Sequence, residues 1–205
     1  MNTVAVFLKH PTPGKVKTRM AKDIGNERAA EIYASMVERV MENIEGKHSL
    51  CVFYDPPEMK NEIVRWLGGW TADFVAQRGK TLGEKISNAI NDRVSAGNLK
   101  VVVIGTDCVE ITAETITDSF ERLNTADTVI GPCEDGGYYL IGLKTNRAEL
   151  FNDIDWSTDR VMAQTLEKAQ QLRLNVSVME TLRDIDCADD LNPQVLEKLN
   201  GQVAK

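Results

Sequence analysis

The sequence predicts a single-domain, three-layer α/β/α fold with a mostly parallel sheet. Short runs of β-branched residues alternate with longer segments that carry apolar residues at helical spacing, which is typical of parallel strands covered by helices. The clearest strand lies at residues 100–105 and the clearest helix at 26–44. The chain has 205 residues, of which 42% are hydrophobic. That is enough for one core, so we expect residues 1–205 to form one domain.

The predicted elements follow one another without an internal repeat or a long linker. Strands are expected at residues 3–8, 49–54, 73–76, 100–105, 128–130, 138–143 and 175–179. Helices are expected at residues 26–44, 60–67, 81–96, 112–123 and 158–172, and from 188 to the end. Thr81 and Glu84 fit a capping box at the start of one of these helices.

Charge and hydropathy narrow the classes of function. The formal net charge is −7 and the pI is near 5.0. Such a surface repels a phosphate backbone, so nucleic acid is excluded as a general partner. No apolar run approaches the roughly 20 residues of a membrane helix, and the start of the sequence lacks a signal-peptide pattern. We therefore expect a cytoplasmic protein without membrane insertion.

The cysteines and histidines exclude some metal sites. The four cysteines, at positions 51, 108, 133 and 187, are widely spaced and form no Cys-x-x-Cys pair. We expect them to be buried, reduced thiols rather than zinc ligands or disulfides. Only two histidines are present, which excludes a histidine-rich metal site.

The loop after the first predicted strand is basic and stiff. It reads Lys-His-Pro-Thr-Pro-Gly-Lys-Val-Lys-Thr-Arg over residues 9–19. Pro13 restricts the backbone, and Gly14 allows it to approach a ligand closely. Lys17 and Arg19 could then hold a diphosphate. The loop does not match a Walker A sequence, and its composition alone is equally compatible with a solvated basic turn.

Two further loops place carboxylates where open α/β sheets bind ligands, at the carboxyl ends of strands. Asp107 follows the strand at 100–105 and is the candidate ligand for Mg²⁺ or Mn²⁺. Asp135 lies in the Gly-rich segment 131–139, where it could meet a substrate hydroxyl, although Asp-Gly is also typical of a plain hairpin turn. We expect these two loops and the basic loop to face one crevice.

Two segments near the end of the chain allow two interpretations each. Four carboxylates fall within seven positions: Asp184, Asp186, Asp189 and Asp190. Asp186 either caps the helix predicted from residue 188 or binds the metal opposite Asp107. Ser157 or Thr158 could cap the helix predicted from residue 158, while Trp156 could lie near the acceptor or in the core.

Several motifs occur in a fixed order over residues 7–191. They are Phe-x-Lys-x-Pro-x-Pro-Gly-x-Val-Lys-Thr-Arg at 7–19, Gln-x-Gly at 77–79 with Leu-Gly at 82–83, Gly-Thr-Asp-Cys at 105–108, Gly-Pro-x-x-Asp-Gly-Gly-Tyr-x-Leu-Ile-Gly-Leu at 131–143, Trp-Ser-Thr at 156–158 and Asp-x-Asp at 184–186. Together they resemble a bacterial family of glycosyltransferase-A-fold proteins, usually described as glycosyltransferases or nucleotide-diphospho-sugar transferases. That family is related to phospholactate guanylyltransferase and, more distantly, to the molybdenum-cofactor nucleotidyltransferases.

Three positions depart from the pattern of that family. Thr81 replaces an aspartate, but both residue types cap helices. Lys85 replaces an arginine, so a point charge stands in place of a bidentate fork. Val109 replaces the proline that follows the Asp-Cys pair at residue 107, which removes a rigid residue from that loop.

The resemblance implies a nucleotide bound by the basic loop, a divalent metal and a substrate cleft. The implied catalytic residues are Asp107, Lys17, Arg19 and Asp135, and the implied metal ligands for Mg²⁺ or Mn²⁺ are Asp107 and Asp186. The implied nucleotide-binding residues are Lys9, Pro13, Gly14, Lys17, Arg19, Gln77, Gly79, Gly83, Lys85 and Thr106. The implied substrate-binding residues are Asp135, Gly136, Gly137, Tyr138, Trp156 and Ser157.

Three functions are compatible with these residues. The first is a glycosyltransferase that moves a sugar from a nucleoside-diphosphate sugar to a small acceptor, with Asp135 or Glu110 as the candidate base if the reaction inverts. The second is a nucleotidyltransferase that couples a nucleoside triphosphate to a small phosphorylated or carboxylated metabolite and releases pyrophosphate. The third is a nucleotide-binding protein without catalysis. The fold alone does not choose between them.

Overall fold

The structure is a computed structural model that describes residues 1–46 and 48–203, and it contains one seven-stranded sheet. Strands β1 to β7 are Asn2–Lys9, Ser49–Asp55, Ala72–Ala76, Lys100–Ile104, Thr128–Pro132, Tyr138–Leu143 and Val176–Val178. Their order across the sheet is β3-β2-β1-β4-β6-β5-β7. Only β6 runs antiparallel to its neighbours among these strands, so the predicted mostly parallel sheet is confirmed.

The helices also follow the prediction closely, with the main differences at the first, sixth and seventh helices. Helices α1 to α7 are Ala21–Ile24, Asn26–Ile44, Lys60–Leu67, Leu82–Ser95, Ala113–Arg122, Val161–Gln171 and Pro193–Val203. The short α1 was not predicted. Residues 188–190 form a 3₁₀ turn, and α7 begins only at Pro193, a residue type favoured at the first helical position. The predicted extension of α7 to the chain end lies outside the described residues.

The two faces of the sheet carry separate apolar layers, which confirms the three-layer architecture. Val4 and Val6 of β1 pack on one face with side chains of α2 and α5. Ala5, between them, packs on the other face with α4 and α6. This alternation follows from the two-residue period of a strand. None of the described helices is long and apolar enough to cross a membrane.

A third apolar cluster lies beside the sheet and joins three loops that carry candidate site residues. Met20 follows the basic loop, Val109 lies two residues after Asp107, and Ile185 lies between two of the acidic residues. All three side chains are at most 3% exposed, and they pack with α2 and α7. The cluster therefore fixes the relative positions of these loops.

Thr112 caps α5 and offers a test of this local structure. Its hydroxyl accepts a hydrogen bond from the Thr115 amide at 3.3 Å, and the Thr115 hydroxyl accepts one from the Thr112 amide at 3.2 Å. We expect Thr112→Ala to lower the free energy of unfolding by about 1 kcal/mol. Thr112→Ser keeps the hydroxyl and should lose much less. Urea denaturation of both variants measures this, and equal losses would contradict the capping role.

Candidate active site

The predicted loops converge at the carboxyl ends of the central strands. The basic loop follows β1, Asp107 follows β4, and a turn with Asp135 joins β5 to β6. Lys17 contacts Asp107 directly, Cys108 Sγ beside Asp107 lies 3.5 Å from Cys133 Sγ of the turn, and Asp135 lies beside Asp184. The three loops therefore meet at one place, and we refer to the region between them as the crevice.

Lys17 lies between the two carboxylates that the sequence assigned to a metal. Its Nζ atom is 2.5 Å from Oδ1 of Asp107 and 2.8 Å from Oδ1 of Asp186. The Lys17 side chain is 5% exposed, against 50% for Asp107 and 35% for Asp186. Burial alone would lower the pKa of Lys17, but the two carboxylates outweigh it and hold that pKa above its ordinary value. The ammonium therefore stays charged.

The second cation of the basic loop is more open. Arg19 Nη1 lies 3.4 Å from Oδ2 of Asp186, and 68% of the Arg19 side chain is exposed. An exposed pair at this distance contributes little to stability. The guanidinium is thus available to a ligand that enters the crevice.

The backbone of the basic loop is held in an unusual conformation. Lys17 has a φ of 45°, in the left-handed region that non-glycine residues rarely adopt, while its carbonyl accepts a hydrogen bond from the Ala21 amide at 2.9 Å. The neighbouring Val16 side chain is only 4% exposed and is part of the core. Gly14 also has a positive φ, of 75°, which favours glycine at this position, and its predicted approach to a ligand stays a prediction.

The loop of Asp107 is fixed without the proline of the family pattern. The Asp107 carbonyl accepts a hydrogen bond from the Ile185 amide at 3.0 Å. The Val109 carbonyl accepts one from the Asn43 side chain at 2.9 Å, and the Val109 side chain is buried. Packing and hydrogen bonds therefore replace the rigidity that a proline would supply.

Tyr33 of α2 binds the backbone at the start of the basic loop. Its hydroxyl accepts a hydrogen bond from the Lys9 amide at 2.9 Å and also hydrogen-bonds with Thr106. Burial and the nearby Asp107 charge raise the pKa of Tyr33 to about 12, so the phenol stays neutral. The sequence indicated Tyr33 only as a core residue at helical spacing.

Asp190 organises the acidic segment and leaves Asp186 facing the crevice. One Asp190 oxygen accepts hydrogen bonds from the amides of Asp186 and Cys187, at 2.9 and 2.8 Å, and Arg183 binds the other oxygen at 2.8 Å. Burial acts to raise the pKa of Asp190, but these bonds and one from the Cys187 thiol hold that pKa well below its usual range. Cys187 is the N-cap of the 3₁₀ turn at 188–190. The alternative that Asp186 caps a helix is therefore wrong.

A second acidic group lies at the turn between β5 and β6. Three side chains here, Cys133, Asp135 and Asp184, each offer one sulfur or oxygen atom that could bind a metal. These three atoms all lie within 4.8 Å of one another. Burial, and then the charge of Asp135, raise the pKa of Asp184 above its ordinary value. Asp135 also accepts a hydrogen bond from the Gly137 amide at 2.8 Å. The segment is thus a hairpin turn, as its Asp-Gly sequence allows, and it borders the crevice.

All four cysteines are free thiols, as predicted, but two of them lie together. Cys108 Sγ is 3.5 Å from Cys133 Sγ, so the Asp107 loop contacts the hairpin turn. Cys51 and Cys108 are buried, whereas Cys133 and Cys187 are partly exposed, which corrects the expectation of four buried thiols. The sequence did not predict the Cys108–Cys133 contact, because the two residues are far apart in the chain and share no motif.

Several predicted substrate residues make packing contacts. The ring of Tyr138 lies edge-on to Trp156, with centroids 6.3 Å apart, in the apolar layer beside α4. A Cβ added to Gly83 would lie 2.8 Å from both the Phe151 carbonyl oxygen and the Trp156 ring, so Gly83 allows close packing there. These contacts favour the core interpretation of Trp156.

The expected cap of α6 is wrong. The helix starts at Val161, and its N-cap residue, Arg160, makes no side-chain capping bond. The Thr158 hydroxyl donates to the Asp155 carbonyl at 2.7 Å instead. Ser157 has a φ of 65°, so the chain turns sharply at this point before the helix.

The second predicted nucleotide-binding segment, residues 77–85, is bound to the carboxyl ends of β1 and β2. The side-chain amide of Gln77 donates hydrogen bonds to the carbonyls of Leu8 and Phe53, at 3.1 and 2.8 Å. Lys85 Nζ lies 3.3 Å from Oδ2 of Asp55.

The start of α4 is capped nearly as predicted. Thr81 accepts a hydrogen bond from the Glu84 amide at 3.1 Å, which confirms its cap. Glu84 accepts from the Lys80 amide at 2.7 Å rather than from Thr81, so the predicted capping box is shifted by one residue. Gly79 has a φ of 135° and packs closely on Glu84, and Gly79 therefore shapes the entry to the helix.

Of the remaining predicted residues, Lys9, Pro13 and Gly14 lie on the basic loop, and Thr106 is 3% exposed beside Tyr33. Glu110, a candidate base, forms an ion pair with Lys198 at 2.7 Å.

Four of the predicted site residues are joined by ion pairs. They are Lys17, Arg19, Asp107 and Asp186.

The residues of this centre fit a divalent cation. Asp107 and Asp186 already share one cation, the ammonium of Lys17, so their oxygens converge on a position that accepts positive charge. Carboxylate oxygens are the ligands that Mg²⁺ and Mn²⁺ prefer. Asp107 and Asp186 could therefore supply two oxygen donors, and the metal itself stays a prediction.

Comparison with known proteins identifies the family. Residues 40–158, more than half of the chain, match the model of DUF2064, described as uncharacterized proteins conserved in bacteria. The chain belongs to the DUF2064 family. A search of curated proteins found no match to the sequence.

Solved structures place this DUF2064 protein among nucleotide-diphospho-sugar transferase folds. A Desulfovibrio desulfuricans G20 protein, provisionally described as a nucleotide-diphospho-sugar transferase, is 29% identical with a TM-score of 0.87, over 99% of this chain and 95% of that one. The inositol-1-phosphate CTP transferase from T. maritima is 13% identical with a TM-score of 0.60, over 98% and 95%. A Mycobacterium tuberculosis H37Rv protein in complex with manganese is 13% identical with a TM-score of 0.54, over 96% and 99%.

Gly136 allows a close contact that can be tested against a matched glycine. A Cβ at Gly136 would collide with the backbone of Asp159, whereas one at Gly97 would meet nothing within 4 Å, and both residues have a φ of 87°. Each alanine variant carries the same backbone strain, so we expect Gly136→Ala to be less stable than Gly97→Ala by about 1–3 kcal/mol. Urea denaturation measures both, and equal stabilities would contradict the packing assignment.

Gln77 distinguishes a structural role from a purely ligand-binding one. Because its amide binds two backbone carbonyls, Gln77→Ala should lower the free energy of unfolding by about 1–3 kcal/mol. Gln170→Ala, at an exposed position of α6, is the control and should change it by less than about 0.5 kcal/mol. If Gln77→Ala is as stable as the control, the two hydrogen bonds do not stabilise the fold, and that result would contradict the structural role.

Proposed function

We propose that this DUF2064 protein is a metal-dependent transferase that acts on an activated nucleotide. More specifically, we propose a glycosyltransferase that moves a sugar from a nucleoside-diphosphate sugar to a small acceptor. The observation that carries the proposal is the contact of Lys17 with Asp107 and Asp186, with Arg19 beside it. Two cations and two carboxylates at the carboxyl ends of the strands suit a metal-bound diphosphate.

In this proposal Asp107 and Asp186 hold Mg²⁺ or Mn²⁺, and Lys17 and Arg19 bind the phosphate oxygens. The bound metal would neutralise the charge that develops on the leaving diphosphate. Asp135, on the hairpin turn that borders the crevice, is the candidate to orient the acceptor hydroxyl and take its proton. The manganese complex of the Mycobacterium tuberculosis protein supports the choice of metal by analogy of fold.

The comparison with the Desulfovibrio desulfuricans protein supports sugar transfer as the first candidate. That protein is provisionally described as a nucleotide-diphospho-sugar transferase, and it is 29% identical with a TM-score of 0.87. Nucleotidyl transfer is the second candidate, because the inositol-1-phosphate CTP transferase shares the fold over nearly the whole chain. In that reaction the same cations would bind a nucleoside triphosphate, and pyrophosphate would leave.

A thermal-shift panel tests the proposal. Nucleoside diphosphates, nucleoside-diphosphate sugars and nucleoside triphosphates would each be added with and without Mn²⁺. A ligand at one hundred times its dissociation constant adds about 2.7 kcal/mol of stability. We expect one nucleoside-diphosphate sugar to stabilise the protein only when Mn²⁺ is present.

Two variants give that panel its control. Asp107→Asn should abolish the metal-dependent shift, because it removes a proposed metal ligand. Asp189→Asn removes one negative charge from the same acidic segment at an exposed position, and should leave the shift unchanged. Stabilisation by a triphosphate alone, with pyrophosphate release, would transfer the proposal to nucleotidyl transfer. No shift with any nucleotide would contradict both candidates.

A further inference from the structure

The position of Lys17 conflicts with the metal that the same carboxylates would bind. Its Nζ atom contacts Oδ1 of Asp107 at 2.5 Å and Oδ1 of Asp186 at 2.8 Å. A divalent cation bound by these carboxylates would have to approach their oxygens even more closely, at about 2.0–2.2 Å. The ammonium and the metal carry like charges, and the same two carboxylates would hold both. The ammonium already occupies the position between the two Oδ1 atoms, and like-charge repulsion opposes a metal bound beside it through the remaining oxygens.

The ammonium is well held when no other cation competes with it. The Lys17 side chain is only 5% exposed, so water does not screen its two ion pairs strongly. The backbone at Lys17 adopts a φ of 45° and is fixed by the bond from the Ala21 amide, so this backbone directs the side chain into the crevice. A buried ammonium without its carboxylates would be costly. Displacing Lys17 by a metal alone is therefore costly, and a second anion that receives the ammonium lowers that cost.

A diphosphate is such an anion, and Arg19 is positioned to bind it first. The Arg19 side chain is 68% exposed, and its Nη1 atom lies 3.4 Å from Oδ2 of Asp186. Phosphate oxygens bound by Arg19 would come close to Lys17 and could replace the carboxylates as its partners. The carboxylates would then be free for a metal. This step rests on the proposed function, whereas the competition between the ammonium and the metal does not.

We propose that Lys17 is an internal counter-ion that competes with the divalent cation for Asp107 and Asp186, and that the diphosphate of the substrate relieves this competition by taking over the ammonium. The metal alone then binds weakly, and metal and diphosphate each strengthen the binding of the other. Lys17 is in this sense a positioning residue for the metal ligands as well as a phosphate-binding residue.

Direct Mn²⁺ titration tests the competition without any nucleotide. Free Mn²⁺ would be followed by electron paramagnetic resonance in the full-length wild type, in Lys17→Met and in Lys15→Met. Lys17→Met removes the competing ammonium and should bind Mn²⁺ at least tenfold more tightly than the wild type. Lys15→Met removes an exposed charge from the same loop and should stay within about twofold of the wild type. Equal or weaker Mn²⁺ binding by Lys17→Met overturns the inference.

A measurement on the wild type covers the case in which Lys17→Met does not fold. Amine-selective labelling followed by mass spectrometry should find Lys17 protected and Lys15 reactive in the absence of metal, as their exposures predict. Saturating Mn²⁺ should increase the labelling of Lys17 several-fold and leave Lys15 unchanged. Unchanged or decreased labelling of Lys17 overturns the inference, as does the absence of Mn²⁺ binding by every folded variant.

These outcomes are separable from those of the proposed function. A wild type that binds a nucleoside-diphosphate sugar with Mn²⁺, but a Lys17→Met variant that binds Mn²⁺ no more tightly, would leave the proposed function intact and overturn the competition. Tighter Mn²⁺ binding by Lys17→Met, together with a wild type that no activated nucleotide stabilises, would do the reverse.

Discussion

The ammonium of Lys17 is the interaction on which the geometry of the crevice depends. It joins Asp107, at the end of β4, to Asp186, which lies 169 residues from Lys17 in the sequence. Two carboxylates that face one another repel unless a cation lies between them. The lysine satisfies this requirement from within the chain, and it keeps the acidic segment against the central strands. A charged ligand that binds here has to replace one of the ion-pair partners in this trio of Lys17, Asp107 and Asp186.

The surroundings hold the backbone on either side of these three charged side chains in place. Three residues that lie within three positions of a member of the trio are buried together in one apolar cluster. They are Met20, Val109 and Ile185. Asp190 ties down the amides of the acidic segment, so the Asp186 side chain is not needed as a cap. Precise placement of charged groups in a partly buried crevice is what electrostatic catalysis requires. The fold therefore supplies the positions, and the loops supply the chemistry.

The sequence predicted the sheet, most helix bounds and the convergence of the loops, because these depend on local periodicity and on the rule that ligands bind at the carboxyl ends of strands. It could not decide the role of Asp186, because capping and ion pairing use the same carboxylate and only tertiary contacts choose between them. The Cys108–Cys133 contact and the hydrogen bond from the Lys9 amide to Tyr33 likewise depend on which segments meet in space. Asp184 carried a signal, the crowding of carboxylates in its segment, but its raised pKa follows from burial.

The exchange of Lys17 for a metal is tested most directly by a crystal structure of the chain with Mn²⁺ and pyrophosphate, measured with anomalous scattering. We expect one manganese peak between Asp107 and Asp186, with the Lys17 ammonium moved onto the phosphate oxygens. A manganese peak at Cys133, Asp135 and Asp184, with Lys17 still bound between Asp107 and Asp186, would contradict it.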